Sequence, residues 1–144
     1  MDPAYQAEVD RVANITRTIL EEKAGMDGPF RRIRVVSGTK LPVAVQRVFG
    51  SETLEYTQEQ RWKDRDRSMK WRVLLDRAAD RVRCDGDYRL SARAGGECER
   101  RVTGEVIVNV PVVGSRIEGR IVEQLKASYE RTADVTRAWI QAHL

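Results

Sequence analysis

The scarcest reactive side chains set the first limit on the chemistry of this chain. The 144-residue sequence contains one histidine, His143, and two cysteines, Cys84 and Cys98. A zinc site, or a Ser-His or Cys-His nucleophile system, needs such residues close together, and the histidine lies next to the C-terminus. We therefore expect no metal site and no histidine-dependent catalysis. Because the sequence also contains no glycine-rich phosphate loop, we expect no cofactor.

Carboxylates are the other groups suited to acid–base chemistry, but their positions do not favour it. Such catalysis needs a carboxylate whose pKa is shifted by burial. Strand alternation places Asp85 and Asp87 on the outer face of a predicted sheet, and it turns Glu55 and Glu59 outward as well. We find no catalytic constellation. An enzyme that works with a shaped pocket and a few hydroxyl or amide groups stays an alternative.

A second group of residues combines polar side chains with apolar ones on one surface. Residues 54–62 and 69–75 alternate between charged side chains and apolar or neutral ones, as half-buried strands do. Polar groups among apolar walls are typical of a small-molecule pocket. The alternative is a solid core in which these groups bond to each other or to buried water. The predicted inward residues are Tyr56, Gln58, Gln60, Trp71, Val73, Tyr88, Val106 and Val108 from strands, and Leu125, Tyr129 and Thr132 from a helix.

The basic stretch at residues 61–72 superficially resembles a nucleic-acid-binding surface. Its tryptophans, Trp62 and Trp71, alternate onto the apolar face, while its charges point outward or lie in a turn. The net charge of +4, from 26 basic and 22 acidic residues, permits an anionic partner without requiring one. We interpret the stretch as a solvated hairpin and do not expect nucleic acid as a partner.

The alternating segments predict an antiparallel meander with one apolar face. Pairing Trp62 with Met69 and Gln60 with Trp71 puts both apolar sets on the same side. A shift by one residue would bury lysine and arginine instead, so the pattern selects this register.

The next hairpin turns at residues 94–96, where glycine is available for the left-handed position. It places Tyr88 opposite Val102. The same register places Arg100 opposite Leu90 on the apolar face, so this pair should lie near an end of the sheet.

Two shorter helical segments and another hairpin precede the meander. Residues 2–11 and 41–50 are predicted to be short helices or turns, and residues 14–22 and 30–38 to be strands. Opposite charges across the strands favour one hairpin register. Its pairs are Leu20–Ile33, Thr18–Val35, Glu21–Arg32 and Glu22–Arg31.

The last element is a long amphipathic helix over residues 115–142. Ser115 and Glu118 have the spacing of a capping box, and apolar residues recur at helical spacing along one stripe. A sheet with one apolar face and a helix with one apolar stripe can cover each other. The fold class is therefore predicted to be α+β.

The segment VTGEVIVNVPVVGSRIEGRIVEQL (102–125) looks like the final strand and helix entry of a bacterial START-like family of unknown function. DPAYQAEV (2–9) resembles the turn after that family's first helix. KLPVAVQRVFGSETLEYTQEQRW (40–62) resembles the small helix and strand before its meander. The chain is thus similar to the START-like, or SRPBCC, superfamily, which has the helix-grip fold and includes pollen-allergen-like proteins, polyketide cyclases and lipid-transfer domains.

The resemblance implies a curved antiparallel sheet wrapped around the C-terminal helix, with a cavity between them. That cavity would bind or carry a hydrophobic or amphipathic small molecule, such as a lipid or a polyketide. Arg32 and Arg34 are candidates for the cavity mouth, where a guanidinium suits a carboxylate or phosphate.

The resemblance also implies that the family's first strand and helix are missing. We therefore expect a single START-like domain over residues 1–144 that is shortened at its N-terminus. In the family the first strand pairs with the last, so the edge near Val106–Val110 should be unpaired and could serve as a template for a homodimer or another protein partner. The sequence has no apolar run of about 20 residues and no signal-peptide pattern, so we expect a cytoplasmic protein.

Overall fold

The computed structural model describes residues 2–144, which form three α-helices and six strands. The strands make one sheet in the order β1-β2-β3-β4-β5-β6, each antiparallel to its neighbours. In chain order the elements are α1 (Pro3–Ala13), β1 (Ile15–Lys23), β2 (Phe30–Lys40), α2 (Val43–Phe49), β3 (Thr53–Lys63), β4 (Ser68–Leu74), β5 (Val82–Ala92), β6 (Cys98–Val108) and α3 (Gly114–His143).

The register of the meander is the predicted one. Trp62 pairs with Met69 and Gln60 with Trp71, and the β5–β6 hairpin carries Leu90 opposite Arg100. Because side chains alternate between the two faces of a strand, these pairs define an inner face that is turned toward α3. The prediction of an α+β fold with the helix-grip arrangement is confirmed.

The first hairpin differs from its predicted register by a β-bulge. Ile19, not Leu20, pairs with Ile33, although Glu21 still pairs with Arg32. The register shifts at Leu20, which is left 52% exposed. The same shift pairs Thr18 with Arg34 rather than with Val35. A register read from alternation assumes an uninterrupted ladder, and a bulge inserts one extra residue.

The start of α3 also differs from the prediction. Ser115 lies inside the helix, and the N-cap is Val113, which makes no side-chain cap hydrogen bond. Glu118 does not close a capping box, because its Oε1 accepts a hydrogen bond from the backbone N–H of Val108 at 2.8 Å. That bond ties the first turn of α3 to the end of β6.

The apolar core divides into two clusters along the inner face. One lies under the start of α3 and contains α2 together with Val82, Val108 and Ile117. The other is built on Met69, Trp71 and Cys84. Side chains that pack against the second cluster are Trp62, Val73, Tyr88, Val102, Val106 and Leu125.

Helix α1 completes the cover by packing on the C-terminal half of α3. The hydroxyls of Tyr5 and Thr136 form a hydrogen bond of 2.8 Å. The ring of Tyr5 also meets that of Trp139 edge to face at 5.8 Å. The inner face of the sheet is therefore roofed by two helices that are joined to each other.

Candidate functional site

The centre of the inner face is polar and only half-buried. Gln58 lies in the third of six strands, between Ile33 of β2 and Val73 of β4. Ile33 is 7% exposed, whereas Gln58, Gln60 and Val73 are all half-buried. A solid core would bury the middle of the sheet most completely. The greater exposure of Gln58, Gln60 and Val73 therefore indicates accessible space above β3 and β4.

The two glutamines are ordered by each other. The amide Nε2 of Gln60 donates a hydrogen bond to Oε1 of Gln58 at 3.0 Å. Each amide keeps further donor or acceptor capacity. The pair can therefore serve a ligand without rearranging.

Tyr129 of α3 is partly exposed and yet strongly desolvated. It is 38% exposed, yet its pKa is raised to about 12, chiefly by burial, with smaller contributions from Tyr56 and Cys84 that Arg100 and Arg17 oppose. Partial exposure and strong desolvation are compatible if the side chain lines a concave space that is open to solvent but surrounded by protein. Tyr56 and Cys84 belong to the sheet, so Tyr129 faces them across that space.

Two more tyrosines on the inner face stay neutral well above physiological pH. Desolvation raises the pKa of Tyr56, with Arg17 acting in the opposite direction. Desolvation also raises the pKa of Tyr88, against the influence of Arg100. A neutral phenol both donates and accepts, so these hydroxyls suit a polar ligand group.

The remaining predicted residues occupy different parts of the inner surface. Trp71, Val73, Tyr88, Val106 and Leu125 come together around the second core cluster. Val108 is 4% exposed and packs under the start of α3 instead.

Thr132 is half-buried, and its hydroxyl donates to the backbone oxygen of Ser128 at 2.9 Å. Its donor is therefore used within α3, and only its acceptor capacity is left for a ligand.

Arg32 and Arg34 do not lie at the mouth of an inner cavity. They alternate with the buried Ile33 and Val35 and so point to the outer face. Arg32 binds Glu59 at 2.7 Å, and Arg34 forms an ion pair with Glu55. The prediction for Arg32 and Arg34 is wrong because it required both side chains to point to the inner face, and β2 turns them to the outer face.

Three other arginines face inward and were not predicted as site residues. Arg17 pairs with Asp10 of α1 at 3.3 Å, and Arg31 pairs with Glu22 at 3.2 Å. Arg100 has no salt bridge within residues 2–144. The sequence contained a signal for one of them, Arg100, because the predicted register places it opposite Leu90 on the apolar face.

Two buried donors of the inner face have no hydrogen-bond partner in the described part of the chain. They are Nε of Arg31 and Nε1 of Trp71. Both residues pair with Gln60, from β2 and β4 respectively, and so lie in one row across the sheet. A buried donor without an acceptor costs about 1–3 kcal/mol. The inner face is therefore short of acceptors rather than of donors.

Two surface cavities lie away from this region. One of about 250 Å³ is formed where α2 meets the end of β4, between Phe49 and Ala78. Another of about 420 Å³ lies on the outer face, beside Lys70 and Arg101. Neither is lined by α3, so neither is the predicted space between sheet and helix.

The fold and the inner face together define a class of protein, an α+β domain in which a curved sheet and a long helix enclose a mixed polar and apolar surface. The chain belongs to a family described as "Protein of unknown function (DUF2505)", whose model matches residues 2–140. No curated protein matches the chain.

Two negative findings apply to residues 2–144. None of their helices combines the length and apolar character needed to cross a membrane. They also contain no group of three or more His, Cys, Asp or Glu residues that could hold a metal ion.

Proposed function

We propose that this protein is a START-like domain that binds or carries a hydrophobic or amphipathic small molecule between the sheet and α3. The main support is the half-buried centre of the inner face, which is formed by Gln58, Gln60 and Val73. Apolar walls with a few placed hydroxyl and amide groups are what small-molecule sites use. The ligand's apolar part would lie against Trp71, Val106 and Leu125.

Native mass spectrometry of protein purified from its own host tests this proposal directly. A co-purifying lipid-sized or polyketide-sized mass is the expected result. Bare protein that also takes up no apolar probe would overturn the proposal.

Filling the space should block binding of a neutral probe such as N-phenyl-1-naphthylamine. Leu125→Trp adds volume where the helix faces Trp71, so we expect the probe's affinity to fall by about tenfold or more, equal to about 1.4 kcal/mol. Fluorescence titration measures the affinity, and circular dichroism checks that the variant folds. If Leu125→Trp does not fold, the smaller change Val106→Leu makes the same test.

Ile140→Trp is the matched control, because Ile140 is on the same helix but 49% exposed. It should bind the probe as the unmodified protein does. Equal binding by Leu125→Trp and Ile140→Trp would show that the probe lies elsewhere.

A second candidate function is pairing with another copy of this chain through β6. Among the described strands, β6 has a neighbour on one side only, and it is 11 residues long. In an antiparallel pair of β6 strands centred on Thr103, Arg101 of each copy would face Glu105 of the other. Light scattering over a range of concentrations tests it, since a dimer has twice the 16.5 kDa mass of the chain. A monomer at every concentration would overturn it.

A further inference from the structure

The inner face carries one cation that the protein itself does not neutralise. Arg100 is half-buried in β6 and is turned toward α3 by the β5–β6 register. Arg17 and Arg31, which share that face, each have a carboxylate partner. No carboxylate of residues 2–144 lies within salt-bridge distance of Arg100. A partly buried charge without a partner is unfavourable unless another group supplies the opposite charge.

The neighbours of Arg100 on the inner face include a neutral hydroxyl. Tyr88 pairs with Val102 and so is the diagonal neighbour of Arg100, within reach of a long side chain. The guanidinium is also close enough to Tyr129 of α3 to affect its titration. Tyr5 of α1 and Cys98 of β6 are the other titratable groups that act on Tyr88. A guanidinium flanked by phenolic O–H groups can hold an anion through several charge-assisted hydrogen bonds.

Elsewhere on the inner face, too, donors lack acceptors. The donors Nε of Arg31 and Nε1 of Trp71 are buried without acceptors. A ligand that brings only apolar surface would leave Arg100 unpaired. A ligand that brings an acidic group would neutralise Arg100.

The position of Arg100 in β6 determines the direction in which such a ligand points. It lies two residues from the start of β6, near the β5–β6 turn at Ala94–Gly96. The apolar cluster of Met69, Trp71 and Cys84 lies further along the same face. A head group at Arg100 therefore leaves the tail pointing toward that cluster.

Resting on the function proposed above, we propose that the ligand has an acidic head group, a carboxylate or a phosphate. Arg100 binds it with the hydroxyl of Tyr88. The apolar tail packs along Trp71 and Leu125. This assigns to Arg100 the role that sequence analysis gave to Arg32 and Arg34.

The test compares ligands that share a tail and differ in the head group. Dodecanoate, dodecyl phosphate and dodecanol compete against the neutral probe N-phenyl-1-naphthylamine. We expect at least one of the two acids to bind about tenfold or more tightly than the alcohol, as a hydrogen bond to a charged group predicts. A preference for dodecanoate identifies a carboxylate ligand, and a preference for dodecyl phosphate identifies a phosphate ligand.

Variants then connect the preference to one residue. Arg100→Gln should remove the difference between acid and alcohol by lowering the affinity for the acids. Arg101→Gln is the matched control. It removes the same charge from the adjacent position, but Arg101 is 69% exposed and binds Glu99 on the outer face. We expect it to keep the preference.

The outcomes separate the two proposals. If the protein binds the probe but holds acid and alcohol equally, the head-group proposal fails and the binding function stands. Equal loss of preference in Arg100→Gln and Arg101→Gln would indicate a general charge effect and would also overturn it. If the protein binds neither the probe nor any of the three ligands, the binding function itself fails. Circular dichroism of both variants ensures that a loss is not due to unfolding.

Discussion

Arg100 and Arg101 are adjacent in β6 but have different surroundings, because alternate residues of a strand face opposite sides of the sheet. Arg101 is a solvated partner of Glu99, with Nη2 2.9 Å from Oε1. Exposed pairs of this kind contribute about 0–1 kcal/mol to stability. Arg100 lies on the inner face without such a partner. Arginine is therefore solvated at one position and, in the binding proposal above, holds a ligand from the next.

Burial of Cys84 makes the stability of the fold depend on pH in the alkaline range. Its side chain is 7% exposed, and burial raises the pKa of its thiol to about 11. In an unfolded chain a cysteine titrates at about 8.5. Between those values the unfolded state loses the proton first, so the free energy of unfolding should fall as the pH rises through this window. At lower pH the thiol is protonated in both states and has no such effect.

Urea unfolding at about pH 8 and about pH 10 measures this dependence. Cys84→Ala should reduce the loss of stability between the two conditions, whatever its effect on stability at the lower pH. Cys98→Ala is the control, because Cys98 is exposed, and it should leave the loss unchanged. A Cys84→Ala variant with the full pH dependence would show that the buried thiol is not its source.

At the scale of elements, β5 and β6 approach Trp71 through a pair of glycines. Gly86 and Gly104 lie opposite each other on the inner face. A methyl group on either would be 2.6 Å from Cζ2 of Trp71. The large ring therefore packs over the sheet because neither position has a side chain.

Gly86→Ala should lower the free energy of unfolding by about 1–3 kcal/mol, since the methyl group would meet the backbone oxygen of Thr103 as well as the Trp71 ring, and overpacking forces one of them to move. Gly119→Ala is the control with the same chemical change. A methyl group at Gly119 meets nothing within 4 Å, and alanine in a helix gains about 1 kcal/mol over glycine. Urea denaturation should therefore shift in opposite directions for the two variants. A Gly86→Ala protein as stable as the original would contradict this account of Trp71.

At the scale of the whole molecule, the two edges of the sheet are not equivalent. Edge strand β1 contacts α1, and its Arg17 binds Asp10 of that helix. Edge strand β6 leads directly into α3, and its outward residues include Thr103, Glu105 and Ile107. A long edge strand can pair with a second chain, and the opposite charges of Arg101 and Glu105 suit such a pairing.

If β6 pairs with a second copy about Thr103, Thr103→Lys should weaken the dimer, because it places two lysines opposite each other at the centre of the interface. Thr18→Lys makes the same change on the exposed face of β1 and should have no effect. Sedimentation equilibrium measures both dissociation constants. Equal weakening by the two variants would place the contact elsewhere.

The elements and their faces could be predicted from the sequence to different degrees. The β3–β4 and β5–β6 registers were correct because a shift by one residue would turn most of their apolar residues outward. The β1–β2 register was correct at Glu21 and Glu22 but wrong over residues 15–19, since no local pattern marks the bulge at Leu20. The start of α3 was wrong because Glu118 binds the end of β6 rather than the helix's own first turn.

The site could be predicted less completely than the fold. Alternation correctly assigned Trp71 and Tyr88 to one face and found the polar residues among them. It did not propose Arg100 as a binding residue, because a charge on an apolar face is unfavourable unless it has a partner, and alternation does not show its partners. Whether Arg100 has a carboxylate depends on side chains from α1, β5 and α3, which are distant in the chain.

The sequence by itself determined which residues of the meander β3–β6 share a face, because the period of a strand is a local property of the backbone. Only the tertiary structure decided how far α3 stands from the sheet, which arginines find acidic partners, and where accessible space is left. Those features depend on distances between elements, and such distances are set by the packing of the whole domain.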